Sequence, residues 1–162
     1  MSMPTDATGI LETQMEVRLS ATVEAVWQAL TSEIGAWWPE EFYAGGEPNK
    51  RRYHLEAEPG GRMFEEWEGG GGVLWATVVA VNPRKQLQVM GTNFPNWGGP
   101  SIWFGTWDLD VDGSDTLLRF SESTFGRTSD SLAEQKDRGW RYLFGGVLKA
   151  HIEGTPAPAW EE

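Results

Sequence analysis

The 162-residue chain has no cysteine and only two histidines. Without cysteine there is no thiol nucleophile, no disulfide framework and no thiolate zinc site. His54 and His151 do not form a His-x-x-x-His pair, and no serine stands in a G-x-S-x-G turn, so neither a metal nor another cofactor is expected. Basic residues are scarce, 13 against 24 acidic ones, for a formal net charge of −11. That field repels phosphate backbones and anionic headgroups, and the basic run Lys50-Arg51-Arg52 is short enough to be a surface loop. Neither nucleic acid nor a membrane is therefore expected as a partner. Nowhere do about eighteen apolar residues run together, and Met1 to Gly9 is small and polar, unlike a signal peptide. The expectation is a soluble, cytoplasmic protein.

What the chain has in excess is tryptophan: ten residues. An indole brings a large apolar area and one N–H donor, so several on one sheet can wall a hydrophobic cavity or simply fill a core. The length suits one domain, and a fold of this size needs no metal or disulfide. Residues 10–154 are expected to form it, between a flexible start at 1–9 and a flexible tail at 155–162 that carries an unexplained Trp160.

Leu11, Thr13, Met15, Val17 and Leu19 alternate with polar residues, the pattern of a strand buried on one face. Ser20 or Thr22 can then cap a helix whose apolar face is Val23, Val26, Trp27 and Leu30. A second short helix or turn closes at Trp37-Trp38-Pro39, with Trp38 as the exit because proline disfavours a helical residue before it. Six extended segments follow: Tyr53 to Glu58, Arg62 to Glu68, Gly72 to Val81, Gln86 to Asn93, Ile102 to Val111 and Thr116 to Thr124. Glycine- and proline-rich turns separate them, which predicts an antiparallel meander. Ser131 with Glu134 reads as a capping box opening a helix of about twenty residues that stops at Gly154. Gly139, Gly145 and Gly146 each cost that helix roughly 1 kcal/mol relative to alanine. Close packing on the sheet, clearance for a ligand, or a frayed helix would account for them, and a cavity roof at Gly145 and Gly146 is the expectation.

This order of elements, in an α+β chain, resembles the helix-grip fold of the START-like (SRPBCC) superfamily. Val26-Trp27, Trp37-Trp38, Pro59-Gly60-Gly61-Arg62-Met63-Phe64 before Trp67, Val81-Asn82-Pro83 before Leu87, and Gly139-Trp140 before Leu143 and Leu148 are similar to the bacterial branch named after the activator of heat-shock protein 90 ATPase. The resemblance spans residues 10–154. It implies a curved antiparallel sheet of about seven strands wrapped around the long C-terminal helix, two short helices after the first strand, and a cavity between sheet and helix. It does not imply a reaction, since such scaffolds host several functions.

Strand alternation assigns faces. Val73, Trp75, Thr77, Val79 and Val81 are expected to share one, and Trp103, Gly105, Trp107 and Leu109 another, both toward the helix. Glu122 alternates with Leu118 and Phe120, so it points inward unless the strand has already ended near solvent. Glu65 shares a face with Met63 and Trp67, while Glu66 points the other way, so the two cannot serve one substrate atom. Asp108, Asp110 and Asp112 lack a calcium loop's spacing and read as a solvated face. The expected lining of the cavity is Trp67, Trp75, Trp103, Trp107, Phe120 and Glu122 from the sheet, with Trp140 and Phe144 from the helix. A small aromatic or lipid-like molecule is the expected partner, with entry past the Asn93 to Pro100 loop and the Trp37-Trp38 turn. The alternatives are a cyclase- or hydrolase-like enzyme using Glu122, Tyr53 or His54, and a co-chaperone module with a chaperone partner, as a monomer or homodimer.

Overall fold

The computed structural model describes residues 7–161. Strand β1 (Ala7–Leu19) leads through α1 (Val23–Leu30) and α2 (Ile34–Trp37) to the meander β2 (Arg51–Leu55), β3 (Arg62–Trp67), β4 (Gly72–Asn82), β5 (Gln86–Asn93), β6 (Ser101–Asp112) and β7 (Asp115–Thr128). The last element is a long helix in three parts: α3 (Asp130–Trp140), a π-helical segment (Arg141–Leu148) and α4 (Lys149–Glu153). All seven strands form one antiparallel sheet in the order β1-β7-β6-β5-β4-β3-β2, so the first strand closes the meander against its last. None of the helices described is long and apolar enough to cross a membrane.

The local signals explain most boundaries. Thr22 caps α1, its hydroxyl accepting from the Ala25 N–H at 3.2 Å, and Val26, Ala29 and Leu30 are buried beneath it. Trp38 leaves α2 with an extended backbone (φ −58°, ψ 122°) ahead of Pro39, as the proline requires. Gly154 ends α4 in the left-handed conformation, φ 69°.

Three expectations are corrected. The cap of the terminal helix is Ser129, which accepts from Leu132 N at 3.1 Å, and Ser131 lies already inside the first turn. Residues 7–9 are paired in β1, Ala7 opposite Thr128, because β7 runs on to Thr128 and offers them a partner. On β4 the strict alternation breaks. Met63 pairs with Ala76 and Phe64 with Leu74, leaving Trp75 as the extra residue of a bulge; Val78 pairs with Val89 and Ala80 with Gln88, leaving Val79 as a second. Each bulge shifts the inward set by one residue. Ala76 and Val78 therefore enter the core, and Val79, expected inside, is 57% exposed.

The core lies between the concave sheet face and the helices, and aromatic rings run through it without interruption. Trp37 meets Phe144 edge-on at 6.2 Å, and Phe144 stacks on Trp140 at 5.6 Å. Trp140 reaches Phe120 at 4.6 Å and Trp103 at 5.9 Å, while Trp107 packs on Phe120 at 4.9 Å. These separations suit attractive ring pairs. The tail is held in the same way: Trp160 lies 5.0 Å from Phe42 and 4.9 Å from Tyr142, with the Arg138 guanidinium 5.0 Å over its ring. Tyr142 also donates its hydroxyl to the Pro158 carbonyl at 2.9 Å.

That tail settles what the helix glycines face. A Cβ on Gly146 would meet Pro158 at 3.0 Å and one on Gly145 would meet Met15 at 3.7 Å, so neither roofs a cavity. The first makes room for the tail and the second for β1. Gly139 alone of the three borders open space.

Candidate functional site

A cavity of about 220 Å³ opens where the sheet and α3 diverge. Trp75 and Trp103 wall it from the sheet, together with Met63 and Tyr53. Trp38 and Phe42 close it from the segment after α2, and Gly139, Trp140 and Leu143 from the terminal helix. Asn93, Glu122 and Lys136 supply the remaining polar groups. The bulge on β4 explains how Trp75 faces inward next to a buried Ala76, and Gly91 explains how Trp103 lies flat across β5. A Cβ at Gly91 would strike both the Trp75 carbonyl and the Trp103 indole nitrogen.

Of the eight residues expected to line the cavity, Trp75, Trp103, Glu122 and Trp140 do so. Trp107, Phe120 and Phe144 lie beneath it as solid core, each at most 1% exposed. Trp67 is elsewhere: its ring lies under Gly45 and Gly46 at the β3 end, where a Cβ on Gly45 would come within 2.6 Å of it. Phe42 and Lys136 were not foreseen, because their neighbours come from elements distant in sequence, while Trp38, expected only at the entrance, and Met63, expected only to share a face with Trp67, are part of the wall.

Glu122 does point inward, at 2% exposure. The Lys136 ammonium stands 3.4 Å from its Oε1, a pairing of charges across the wall, yet that oxygen accepts no hydrogen bond among the described residues. The indole N–H of Trp38 is likewise buried and unpartnered. Glu65, 1% exposed, is satisfied in full behind the wall. It accepts from Trp67 Nε1 at 2.8 Å, from Trp75 Nε1 at 2.9 Å and from Ala44 N at 2.9 and 3.1 Å.

Two candidate acid–base residues change standing. His54 lies on the outer face, stacked on Phe64 at 4.8 Å and 3.9 Å from Glu66, so it cannot reach the cavity. Alternation puts it there: Tyr53, its neighbour, takes the inward place and stacks on Trp38 at 3.8 Å. Burial, reinforced by Glu65, holds the Tyr53 phenol well above its ordinary value near 10, and Tyr43 is pushed up to about 12 by burial and then by Glu40 and Glu65. At neutral pH Tyr53 is thus a proton donor and not a base. Among the described residues no group of three or more His, Asp or Glu is placed to hold a metal ion.

The raised tyrosines make stability fall at alkaline pH. Above about pH 10 the unfolded chain has released protons that the folded chain retains, so the unfolded state gains. The stabilisation is intact below pH 10 and is lost as the pH climbs through the folded-state values, about 12 for Tyr43. Urea midpoints should therefore drop between pH 10 and 11, and Tyr53→Phe should reduce the drop. An equal drop in that variant would contradict the assignment to Tyr53.

Comparison with known proteins agrees with this architecture. The family model described as activator of Hsp90 ATPase homolog 1-like protein matches residues 20–153. A protein of Mesorhizobium loti has the same fold at 22% identity and a TM-score of 0.65, over 90% of this chain and 98% of its own. A Rhizobium leguminosarum protein gives 16% identity and a TM-score of 0.69, over 93% and 99%. The Aha1 dimer of Colwellia psychrerythraea gives 22% and 0.59, over 88% and 96%. No curated protein matches in sequence.

Proposed function

The chain belongs to the activator of Hsp90 ATPase homolog 1-like family, and from that membership and the cavity we propose that it binds a compact, flat, largely apolar molecule between the sheet and α3. The observation that carries this reading is the wall itself: a concave space bounded by six aromatic side chains with few polar groups, the usual make-up of a small-molecule site. Its volume of about 220 Å³ favours one or two fused rings over a long lipid chain, since an apolar cavity of roughly 150 Å³ already accepts benzene. Entry runs past Asn93 and the β5–β6 loop, where Trp97 packs on Trp75 at 5.1 Å.

Gly139→Leu tests the site directly. A Cβ there would sit in ordinary contact with Phe42, 3.7 Å away, so the helix accepts a side chain and the rest of it enters the cavity. Leucine is also the better helix former by about 1 kcal/mol. The wild type is expected to bind naphthalene, read by tryptophan fluorescence, and the variant should fold with unchanged or raised stability and lose that binding. Naphthalene bound equally by both proteins would remove this cavity as the site.

A further inference from the structure

Two buried polar atoms on residues that line the cavity make no hydrogen bond among the described residues, and they are of opposite kinds. Glu122 Oε1 is an acceptor on β7, 2% exposed as a residue, and Trp38 Nε1 is a donor at the exit of α2. A polar group buried without a hydrogen bond is costly, and native proteins rarely tolerate one where nothing ever satisfies it. The two residues that carry them line the same aromatic space. Two other polar groups around it are occupied: Trp75 gives its indole N–H to Glu65, and the Asn93 amide donates to Ser101 Oγ at 3.3 Å. Lys136 lies 3.4 Å from Glu122 Oε1 and pairs with it as an ion, but no hydrogen bond reaches that oxygen among the described residues, which leaves it open to a donor.

Resting on the binding site proposed above, we infer that the ligand is a hydroxyarene: a small aromatic ring system whose hydroxyl donates to Glu122 Oε1 and whose oxygen can accept from Trp38 Nε1. A hydroxyl carries both functions, which suits an unbonded acceptor and an unbonded donor on residues that line one apolar space. A carboxylate or phosphate would have no donor to offer Glu122 and would meet its charge, so anionic ligands are disfavoured.

The test is a series of three probes on the full chain: naphthalene with no polar group, 2-methoxynaphthalene with an acceptor only, and 2-naphthol with donor and acceptor. A hydrogen bond to a charged acceptor predicts that 2-naphthol binds about ten- to a hundredfold more tightly than naphthalene. 2-Methoxynaphthalene should gain at most a few-fold. In Glu122→Gln the ratio of 2-naphthol to naphthalene affinity should shrink towards that of the methoxy compound, and in Trp38→Phe the ratio of methoxy compound to naphthalene should fall to about one. Equal affinity of the wild type for naphthalene and 2-naphthol overturns the hydroxyarene assignment and leaves the cavity reading in place. Failure of all three to bind overturns both. The wild-type series decides the matter even if a variant does not fold.

Discussion

Trp107→Ala is expected to destabilise the protein by about 4 kcal/mol, in the range found for removing a large aromatic from a core. Trp107 is 1% exposed and wedged between Phe120 at 4.9 Å, Phe144 at 5.8 Å and Trp140 at 6.5 Å, in the layer directly beneath the cavity. Its indole nitrogen has no partner among the described residues, so what the substitution removes is packing and not a hydrogen bond. For that reason Trp107→Phe should cost only about 1 kcal/mol, because the lost volume is partly offset by the removal of an unsatisfied donor. In a domain of this length the alanine variant should melt on the order of 10 °C lower. Urea unfolding checks the pair: the midpoints should fall in the order wild type, Phe, Ala with little change in slope. An alanine variant within 1 kcal/mol of wild type would mean that the core collapses onto the space and that the layer under the cavity is soft.

The contrast between Trp107 and Trp75 shows where local pattern is enough. Strand β6 pairs with both neighbours without a register shift, so alternation from Ser101 to Leu109 places Trp103 and Trp107 inside, as the buried set Ser101, Trp103, Gly105, Trp107 and Leu109 attests. Strand β5 spans Gln86–Asn93, the limits read from its flanking turns, because Asn82-Pro83-Arg84 and Pro95 cannot extend it. On β4 the same rule misassigns Thr77 and Val79, since a bulge is a property of two paired strands and only one is seen in a local window. Lys136 fails for a similar reason. A lysine between Gln135 and Asp137 reads as solvated helix surface, and only the fold sets it 3.4 Å from a carboxylate on β7. The π-helical stretch Arg141–Leu148 has no sequence mark beyond its glycine pair, and Trp160 sits in a proline-alanine tail whose composition hides its contacts with Phe42 and Tyr142.

Glu65 is the second position where a large loss is expected, and it links stability to the cavity wall. Its carboxylate gathers three N–H donors from three places: the backbone of Ala44 before β2, Trp67 at the end of β3, and Trp75 in the bulge of β4. Hydrogen bonds to a charged acceptor contribute about 1.5–3 kcal/mol each, and a buried donor left without one costs about 1–3 kcal/mol. In Glu65→Leu all three donors lose their acceptor, and because Ala44 is exposed and Trp67 and Trp75 are only half-buried, water recovers part of the loss. A net loss of about 4 kcal/mol is expected. Glu65→Gln keeps one acceptor oxygen but turns an amide N–H₂ towards one of the indoles, so about 2 kcal/mol is expected there. Urea midpoints should therefore order wild type, Gln, Leu. Because Trp75 is held by this carboxylate on one side and borders the cavity on the other, both variants should also weaken naphthalene binding, under conditions where each is still folded. Exchanging a buried charge for a hydrophobic side chain is neutral or favourable in some proteins, so the Leu variant weighs desolvation of the carboxylate against its hydrogen bonds. A Leu variant as stable as wild type would show that desolvation of this carboxylate outweighs its three hydrogen bonds, and that the Trp75 wall stands by packing alone.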